Sequence, residues 1–135
     1  MDRTGFQRWL DAYIAAWRSN DRATIEALFS EDARYFYGPY AKPVIGRAAI
    51  AASWLENPDA PDSWTARYAP LAVDGDVFVA TGESRYLLPG GHAERTAYSN
   101  IYVCRFDAEG RCTEFREWFM ERPAPKPAEA APAPA

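Results

Sequence analysis

The sequence predicts an α+β fold in which a cone-shaped, curved sheet wraps three helices from the N-terminal half and encloses a pocket. The sheet is predicted to be antiparallel with some mixed pairing. Three observations predict this fold. Apolar residues in the first half follow helical spacing, the second half alternates between strands and Gly-containing turns, and aromatic residues make up 15% of the 135 residues. Helices segregated from an antiparallel sheet in this way pack on one face of it.

The first predicted helix is a broad amphipathic stripe with apolar residues at i, i+3, i+4, i+7, i+8 and i+11. These residues are Phe6, Trp9, Leu10, Tyr13, Ile14 and Trp17. Asn20-Asp21 ends this helix and caps a short second one. The apolar residues of the second helix are Ile25, Leu28 and Phe29. Gly46 precedes the third helix, RAAIAASWLE, and Asn57-Pro58 ends it.

The strands begin with the β-prone run ARYFY after Asp32. Farther along, SWTARYAPLAV and DVFVATGESRYLL are predicted to form a hairpin across Asp74-Gly75. Turns at residues 89–91 and 107–110 then lead into ERTAYSNIYVCRF and RCTEFREWFMER. We therefore expect one short strand between the second and third helices and four antiparallel strands after them.

Composition limits the domain organisation and the location. The segment from Pro123 holds five Pro and six Ala in 13 residues, so residues 1–122 are predicted to form the single domain and residues 123–135 a disordered tail. No run approaches the roughly 20 apolar residues that span a bilayer. Acidic residues and Arg interrupt the N-terminal apolar stretches, unlike a signal peptide. A cytoplasmic protein without membrane attachment is expected.

The net charge argues against nucleic-acid binding, and the few possible metal ligands argue against a metal site. The net charge of −4 and the interleaving of Arg with acids argue against nucleic-acid binding. Cys104, Cys112 and the single His92 form no zinc pattern, and no metal or cofactor is predicted. In the expected hairpin Cys104 lies opposite Thr113, with the two thiols on opposite faces. Both cysteines are therefore predicted to be reduced packing residues.

Four segments together resemble the nuclear transport factor 2-like superfamily. They are WLDAYIAAWRSND, IEALFSEDARY, the Pro43–Gly46–Ile50 series and RFDAEGRCTEFREWFM. The resemblance extends from about Phe6 to Arg122, and the group includes SnoaL-type polyketide cyclases, ketosteroid isomerases, scytalone dehydratase and limonene epoxide hydrolase. It implies the cone-shaped fold. It says little about function, because the same fold carries several chemistries and many binding domains.

The ketosteroid isomerase pattern can be tested residue by residue. Its oxyanion-hole tyrosine falls on Tyr13, but its general-base aspartate falls on Tyr37 and its second acid on Tyr102. A tyrosine cannot replace the carboxylate base near neutral pH. The resemblance therefore does not imply steroid isomerase activity.

The same register, with the alternation of strands, implies which side chains face the pocket. Glu117 is expected there between two aromatic residues, where desolvation would raise its pKa into the range of a general acid or base. The alternative is a bulged strand that pairs Glu117 with an outer-face Arg. Tyr13, Tyr102 and Asn100 are the predicted donors to an oxyanion, although either tyrosine could also be an ordinary core residue.

The expected ligand is a small hydrophobic or aromatic molecule, because so many aromatic residues surround one predicted cavity. The residues expected to contact it are Trp17, Tyr35, Tyr37, Trp54, Trp64, Phe78, Tyr86, Tyr98, Phe115 and Phe119.

Two functions follow from these observations. The first is a cofactor-independent isomerase, dehydratase or cyclase that acts on an apolar carbonyl compound. The second is a non-catalytic domain for hydrophobic-ligand binding or association. A homodimer is expected through the outer sheet face, which is more apolar than a monomer should expose. That face carries Val77, Val79, Thr81, Ile101 and Val103.

Overall fold

Three helices pack against a six-stranded sheet in the computed structural model, which describes residues 1–124. The helices are α1 (Arg3–Ser19), α2 (Arg22–Glu26) and α3 (Arg47–Glu56). The strands are β1 (Phe29–Phe36), β2 (Val44–Ile45), β3 (Trp64–Asp74), β4 (Val77–Leu87), β5 (Glu94–Phe106) and β6 (Cys112–Glu121). This is the predicted α+β class, with three helices in the N-terminal half. The predicted tail falls almost entirely outside the described residues.

The sheet has the strand order β2-β1-β6-β5-β4-β3. All neighbouring strands are antiparallel except β1 and β6, which run parallel, so the sheet is mixed. The long strands β3 to β6 form one meander joined by short turns. Within residues 1–124, no helix is long and apolar enough to cross a membrane.

Helix α1 forms as the apolar stripe predicts, and its two ends are capped. The Asp2 carboxylate accepts a hydrogen bond from the Gly5 N–H at 2.7 Å, and Asn20 ends the helix in the left-handed conformation. Asp21 then caps α2 by accepting from the Thr24 N–H. The buried face of α1 carries Phe6, Trp9, Leu10, Tyr13 and Ala16. This face packs into the aromatic core beside the sheet.

Two element boundaries and one additional strand differ from the predictions. Phe29 begins β1 rather than continuing α2, because the Leu28 carbonyl accepts from the Cys112 N–H at 2.9 Å and is drawn into the sheet. The two-residue strand β2 is too short for an alternation pattern to predict. The hairpin turn is Gly75-Asp76, one residue later than expected, with φ of 59° at Gly75.

The register predicted around the two cysteines was wrong. Cys104 lies opposite Phe115, because Thr113 is an extra residue in the bulge near the start of β6. Both thiols are buried and free, as predicted for packing residues. Both side chains lie in the same buried core cluster rather than on opposite faces of the sheet. Burial raises the pKa of Cys104, and the neighbouring Cys112 thiol raises it further.

Candidate functional site

A cavity of about 380 Å³ lies between the helices and the concave face of the sheet. Its walls come from α1, α3, the loop that follows α3, and strands β1, β4, β5 and β6. The lining side chains are Tyr13, Trp17, Asn20, Tyr35, Tyr37, Ser53, Trp54, Asn57, Asp59, Ser84, Tyr86, Tyr98, Asn100, Tyr102, Glu117 and Phe119. Aromatic rings and uncharged polar groups dominate this surface.

Glu117 directs its carboxyl group to the pocket side of β6 and lies directly opposite Tyr102 on β5. Desolvation by burial raises its pKa to about 7. Among the ion pairs of residues 1–124, none includes Glu117. The bulge at Thr113 lies ahead of this part of the strand, so the alternation is regular at Glu117. The structure therefore has the pocket-facing arrangement rather than the outer-face ion pair.

The outer face instead holds a different glutamate. Glu114 is buried and forms ion pairs with Arg34, Arg116 at 3.1 Å and Arg105 at 3.8 Å. Each of these arginines is part-exposed, so this cluster neutralises one buried carboxylate at the sheet surface.

Asn100 is connected to Glu117 and to a tyrosine that the sequence did not single out. The Asn100 Nδ2 donates to the Tyr68 hydroxyl at 2.8 Å and lies 3.5 Å from the Glu117 Oε1. The Tyr68 hydroxyl is also hydrogen bonded to the Ser84 Oγ at 2.6 Å. In this arrangement the amide hydrogens of Asn100 face Tyr68 and Glu117.

Tyr13 pairs with Tyr35 through their hydroxyl oxygens, which lie 2.8 Å apart. Burial raises the pKa of Tyr13 well above its usual value, and the nearby Tyr35 and Glu117 add to this effect. Burial likewise raises the pKa of Tyr102. Both phenols therefore keep their protons at neutral pH. The two phenols have different neighbours. The Tyr13 hydroxyl is hydrogen bonded to Tyr35 on β1, whereas the Tyr102 ring stacks on the Tyr68 ring with 4.4 Å between the ring centroids.

Seven of the ten predicted contact residues line the cavity. They are Trp17, Tyr35, Tyr37, Trp54, Tyr86, Tyr98 and Phe119. The other three lie behind the walls. Trp64 stacks on Trp17, with 3.7 Å between their ring centroids. By the same measure, Phe78 packs against Phe6 at 5.4 Å and Phe115 stacks on Tyr35 at 4.5 Å. These three side chains face inward but lie deeper in the core, so they support the pocket walls without reaching the cavity surface. Their depth is the physical reason why they do not line the cavity.

The loop after α3 contributes a carboxylate that the sequence analysis missed. The Asp59 Oδ2 accepts from the Trp17 Nε1–H at 3.0 Å, and the Asp59 carbonyl accepts from the Asn20 Nδ2 at 3.0 Å. These bonds hold the loop against the end of α1. The available signal was the polar loop predicted after the third helix, in which Asp59 lies between Pro58 and Pro61.

Three other polar lining residues were also missed. Ser53 is hydrogen bonded to the Tyr37 hydroxyl at 2.7 Å, and Asn20 and Asn57 complete the set. Among residues 1–124, no group of three or more His, Cys, Asp or Glu side chains could hold a metal ion.

Comparison with solved structures shows the same fold in proteins of several kinds. An epoxide hydrolase/cyclase-like enzyme, SalBIII, described for pyran ring formation in the polyether salinomycin, is 19% identical with a TM-score of 0.68, covering 88% of this chain and 93% of that chain. An NTF-2-like protein of unknown function from Burkholderia xenovorans is 14% identical with a TM-score of 0.67, covering 98% and 95%.

A third similar structure has a different kind of description. A putative calcium/calmodulin-dependent protein kinase type II association domain from Thiobacillus denitrificans is 22% identical with a TM-score of 0.62, covering 81% of this chain and 90% of that chain. At these identities the similarity shows the fold alone. Among curated proteins, none matches this chain significantly.

The sequence itself matches the family described as the SnoaL-like domain over residues 10–115. The match includes α1 from Leu10, all of α3 and the pocket-lining strands up to Phe115. The predicted nuclear transport factor 2-like membership is therefore confirmed, and the chain belongs to the SnoaL-like domain family.

Proposed function

We propose that this protein is an enzyme that moves a proton on an apolar carbonyl compound, with Glu117 as the general acid and base. The observation that carries this proposal is the placement of Glu117 on the aromatic wall of the cavity, where desolvation raises its pKa to about 7. A group whose pKa lies near the working pH can both take and return a proton. Isomerisation, dehydration and aldol-type cyclisation all begin with such a step.

In the proposed reaction, ionised Glu117 takes a proton from the carbon beside the carbonyl. The C–H electron pair moves into the carbonyl group, and negative charge develops on its oxygen. Tyr102 and Tyr13 are the proposed donors to that oxygen, since their raised pKa values keep both phenols protonated. When Tyr35 donates to Tyr13, the Tyr13 proton is free for the ligand. Asn100 supports Glu117 rather than the ligand.

The charges in the cavity favour a neutral substrate. Among the described residues, the lining side chains include the carboxyl groups of Asp59 and Glu117 and no Arg, Lys or His. An anionic ligand would lose its hydration and meet no cation there, which costs free energy. The aromatic walls instead favour a flat, uncharged molecule.

A matched pair of probes tests this preference. We expect 2-acetylnaphthalene to quench tryptophan fluorescence with an affinity at least about tenfold higher than that of 2-naphthoate, since even about 1.4 kcal/mol of repulsion gives this ratio. The difference should be larger at pH 8 than at pH 6, because Glu117 is charged above its pKa of about 7. Equal or tighter binding of 2-naphthoate at pH 8 would contradict a neutral-substrate pocket.

An association domain without catalysis is the second candidate, favoured by the outer face of the sheet. Ile101, Trp118 and Met120 are exposed there, with 42%, 41% and 72% of their surfaces accessible. Val77, Val79, Thr81 and Val103 on the same face are part-buried. We propose that this face forms a homodimer, which is compatible with either function. A cytoplasmic location stays a prediction from the sequence.

Light scattering tests the dimer. The wild-type protein should have twice the 15.1 kDa mass of one chain, and Ile101→Glu should give the single-chain mass because a charge replaces a central apolar contact. Leu88→Glu, at an exposed position after β4, is the control and should remain a dimer. A wild-type mass of 15.1 kDa at working concentration would refute this interface.

A further inference from the structure

Tyr68 reaches across the sheet to contact a residue two strands away. It lies on β3, whereas Asn100 lies on β5, and β4 runs between these strands. Tyr68, Gly82 and Asn100 form one row across the three strands. Strands are spaced about 4.8 Å apart, so a row of this kind spans roughly 10 Å. Only a long side chain that lies flat on the sheet can close that distance.

Gly82 makes this crossing possible. A Cβ atom at Gly82 would lie 2.4 Å from the Tyr68 Cδ1 and 2.0 Å from the Arg67 carbonyl oxygen. The space that any other residue would fill is therefore occupied by the Tyr68 ring. Ser84, the next inward residue on β4, is small and bonds the Tyr68 hydroxyl at 2.6 Å. The two small residues form a shallow groove that holds the ring.

The hydroxyl at the end of this ring fixes the orientation of the Asn100 amide. The amide nitrogen donates to Tyr68, and the same nitrogen lies beside Glu117. The amide oxygen is buried without a hydrogen-bond partner among the described residues. A buried acceptor without a partner costs free energy, so the amide oxygen does not stabilise this orientation. The orientation therefore depends on what the nitrogen contacts, namely Tyr68 and Glu117.

We propose that Tyr68 is a positioning residue, whose hydroxyl holds the Asn100 amide nitrogen toward the carboxyl group of Glu117. This inference rests on the proposed function, since it gives a role to the neighbour of the proposed acid and base. An N–H directed at the carboxyl oxygen stabilises its ionised form. Tyr68 thus limits how far burial raises the pKa of Glu117, and keeps ionised Glu117 available near neutral pH.

Tyr68→Phe removes the hydroxyl group and keeps the ring, which can still lie over Gly82. The variant therefore tests the hydroxyl alone. Carbon-detected NMR titration of the Glu117 carboxyl group should give a pKa at least about half a unit higher than in the wild type, because the amide is no longer held toward the carboxylate. Tyr40→Phe is the matched control, since Tyr40 is fully exposed, and it should leave the Glu117 pKa unchanged. A merely structural role for Tyr68 would lower the melting temperature without moving that pKa.

An unchanged Glu117 pKa in folded Tyr68→Phe would overturn the proposal. If this variant fails to fold, the wild type provides the test. Its Asn100 side-chain amide protons should exchange slowly with solvent and show close contacts to the Tyr68 ring, and rapid exchange without such contacts would also overturn the proposal. Failure of the proposed function has a different signature, because Glu117→Gln would then exchange substrate protons as fast as the wild type, whatever the Glu117 pKa is in Tyr68→Phe.

Discussion

Glu117→Gln should lower turnover of a carbonyl substrate by at least about 100-fold, because general acid–base catalysis contributes about 10²–10⁴ to the rate. Gln has nearly the same shape as Glu and can occupy the same place opposite Tyr102, but it cannot take up a proton. The measurement is the rate of deuterium exchange into the methyl group of 2-acetylnaphthalene in heavy water. This probe has exchangeable protons beside a carbonyl and no charge.

The stability of this variant provides its control. Burial raises the folded-state pKa of Glu117 from 4.5 to about 7, so the folded protein binds more protons than the unfolded chain between these values. The wild type therefore loses stability as pH rises from about 4.5 to about 7. Allowing for partial solvent access, this loss is about 2 kcal/mol. Glu117→Gln should avoid it and be more stable at pH 8, while Glu117→Asp should remain titratable.

An active Glu117→Gln would remove Glu117 from the mechanism. Loss of exchange together with loss of folding would show only a structural defect, which is why the free energy of unfolding must be measured on the same samples. Persistent binding of 2-acetylnaphthalene to an inactive, folded variant would separate catalysis from recognition.

Gly82→Ala should lower the free energy of unfolding by about 3 kcal/mol or more. The added methyl group would lie 2.0 Å from the Arg67 carbonyl oxygen, which belongs to the paired backbone of β3 and cannot rotate away. It would also meet two ring atoms of Tyr68 at 2.4 Å and 2.6 Å. Overpacking of this kind requires strand separation or ring displacement and typically costs about 1–3 kcal/mol, more against rigid backbone.

Gly91→Ala is the matched control for this substitution. Its Cβ would meet other atoms no closer than 3.7 Å, and its backbone has no positive φ. We expect a change of no more than about 0.5 kcal/mol in urea unfolding. If Gly82→Ala unfolds at the same urea concentration as the wild type, the close packing of Tyr68 on β4 is wrong.

Local patterns predicted much of this fold because local interactions produce it. The stripe from Phe6 to Trp17 has only one helical face to bury, and Asp2 and Asp21 cap the helices without help from the sheet. Strand alternation, together with the register that the family resemblance implied, likewise placed Glu117 at the cavity, since a period of two leaves only one other face. The bulge at Thr113 could have reversed that result, but it precedes the pocket-lining part of β6.

Contacts that depend on several elements could not be predicted in this way. Asp59 is brought to the cavity by Trp17 and Asn20, which are about 40 positions earlier in the chain. The Tyr68 contact with Asn100 requires the register of β3, β4 and β5 together. No pattern within one strand contains that register. Depth within the core posed the same problem for Trp64, Phe78 and Phe115, because alternation gives the face of a residue and not its distance from the cavity surface.

The most direct test of the central claim is the pKa of Glu117 in the wild-type protein, measured by NMR titration and assigned with Glu117→Gln. A pKa of about 7 is expected, because the half-buried carboxyl group lies in the aromatic cavity and has no cationic partner among the described residues. Such a value would support Glu117 as a group that exchanges protons near neutral pH. A pKa at or below 4.5 would contradict the account, since a carboxyl group of that kind is solvated or ion-paired and does not serve as the proposed acid and base.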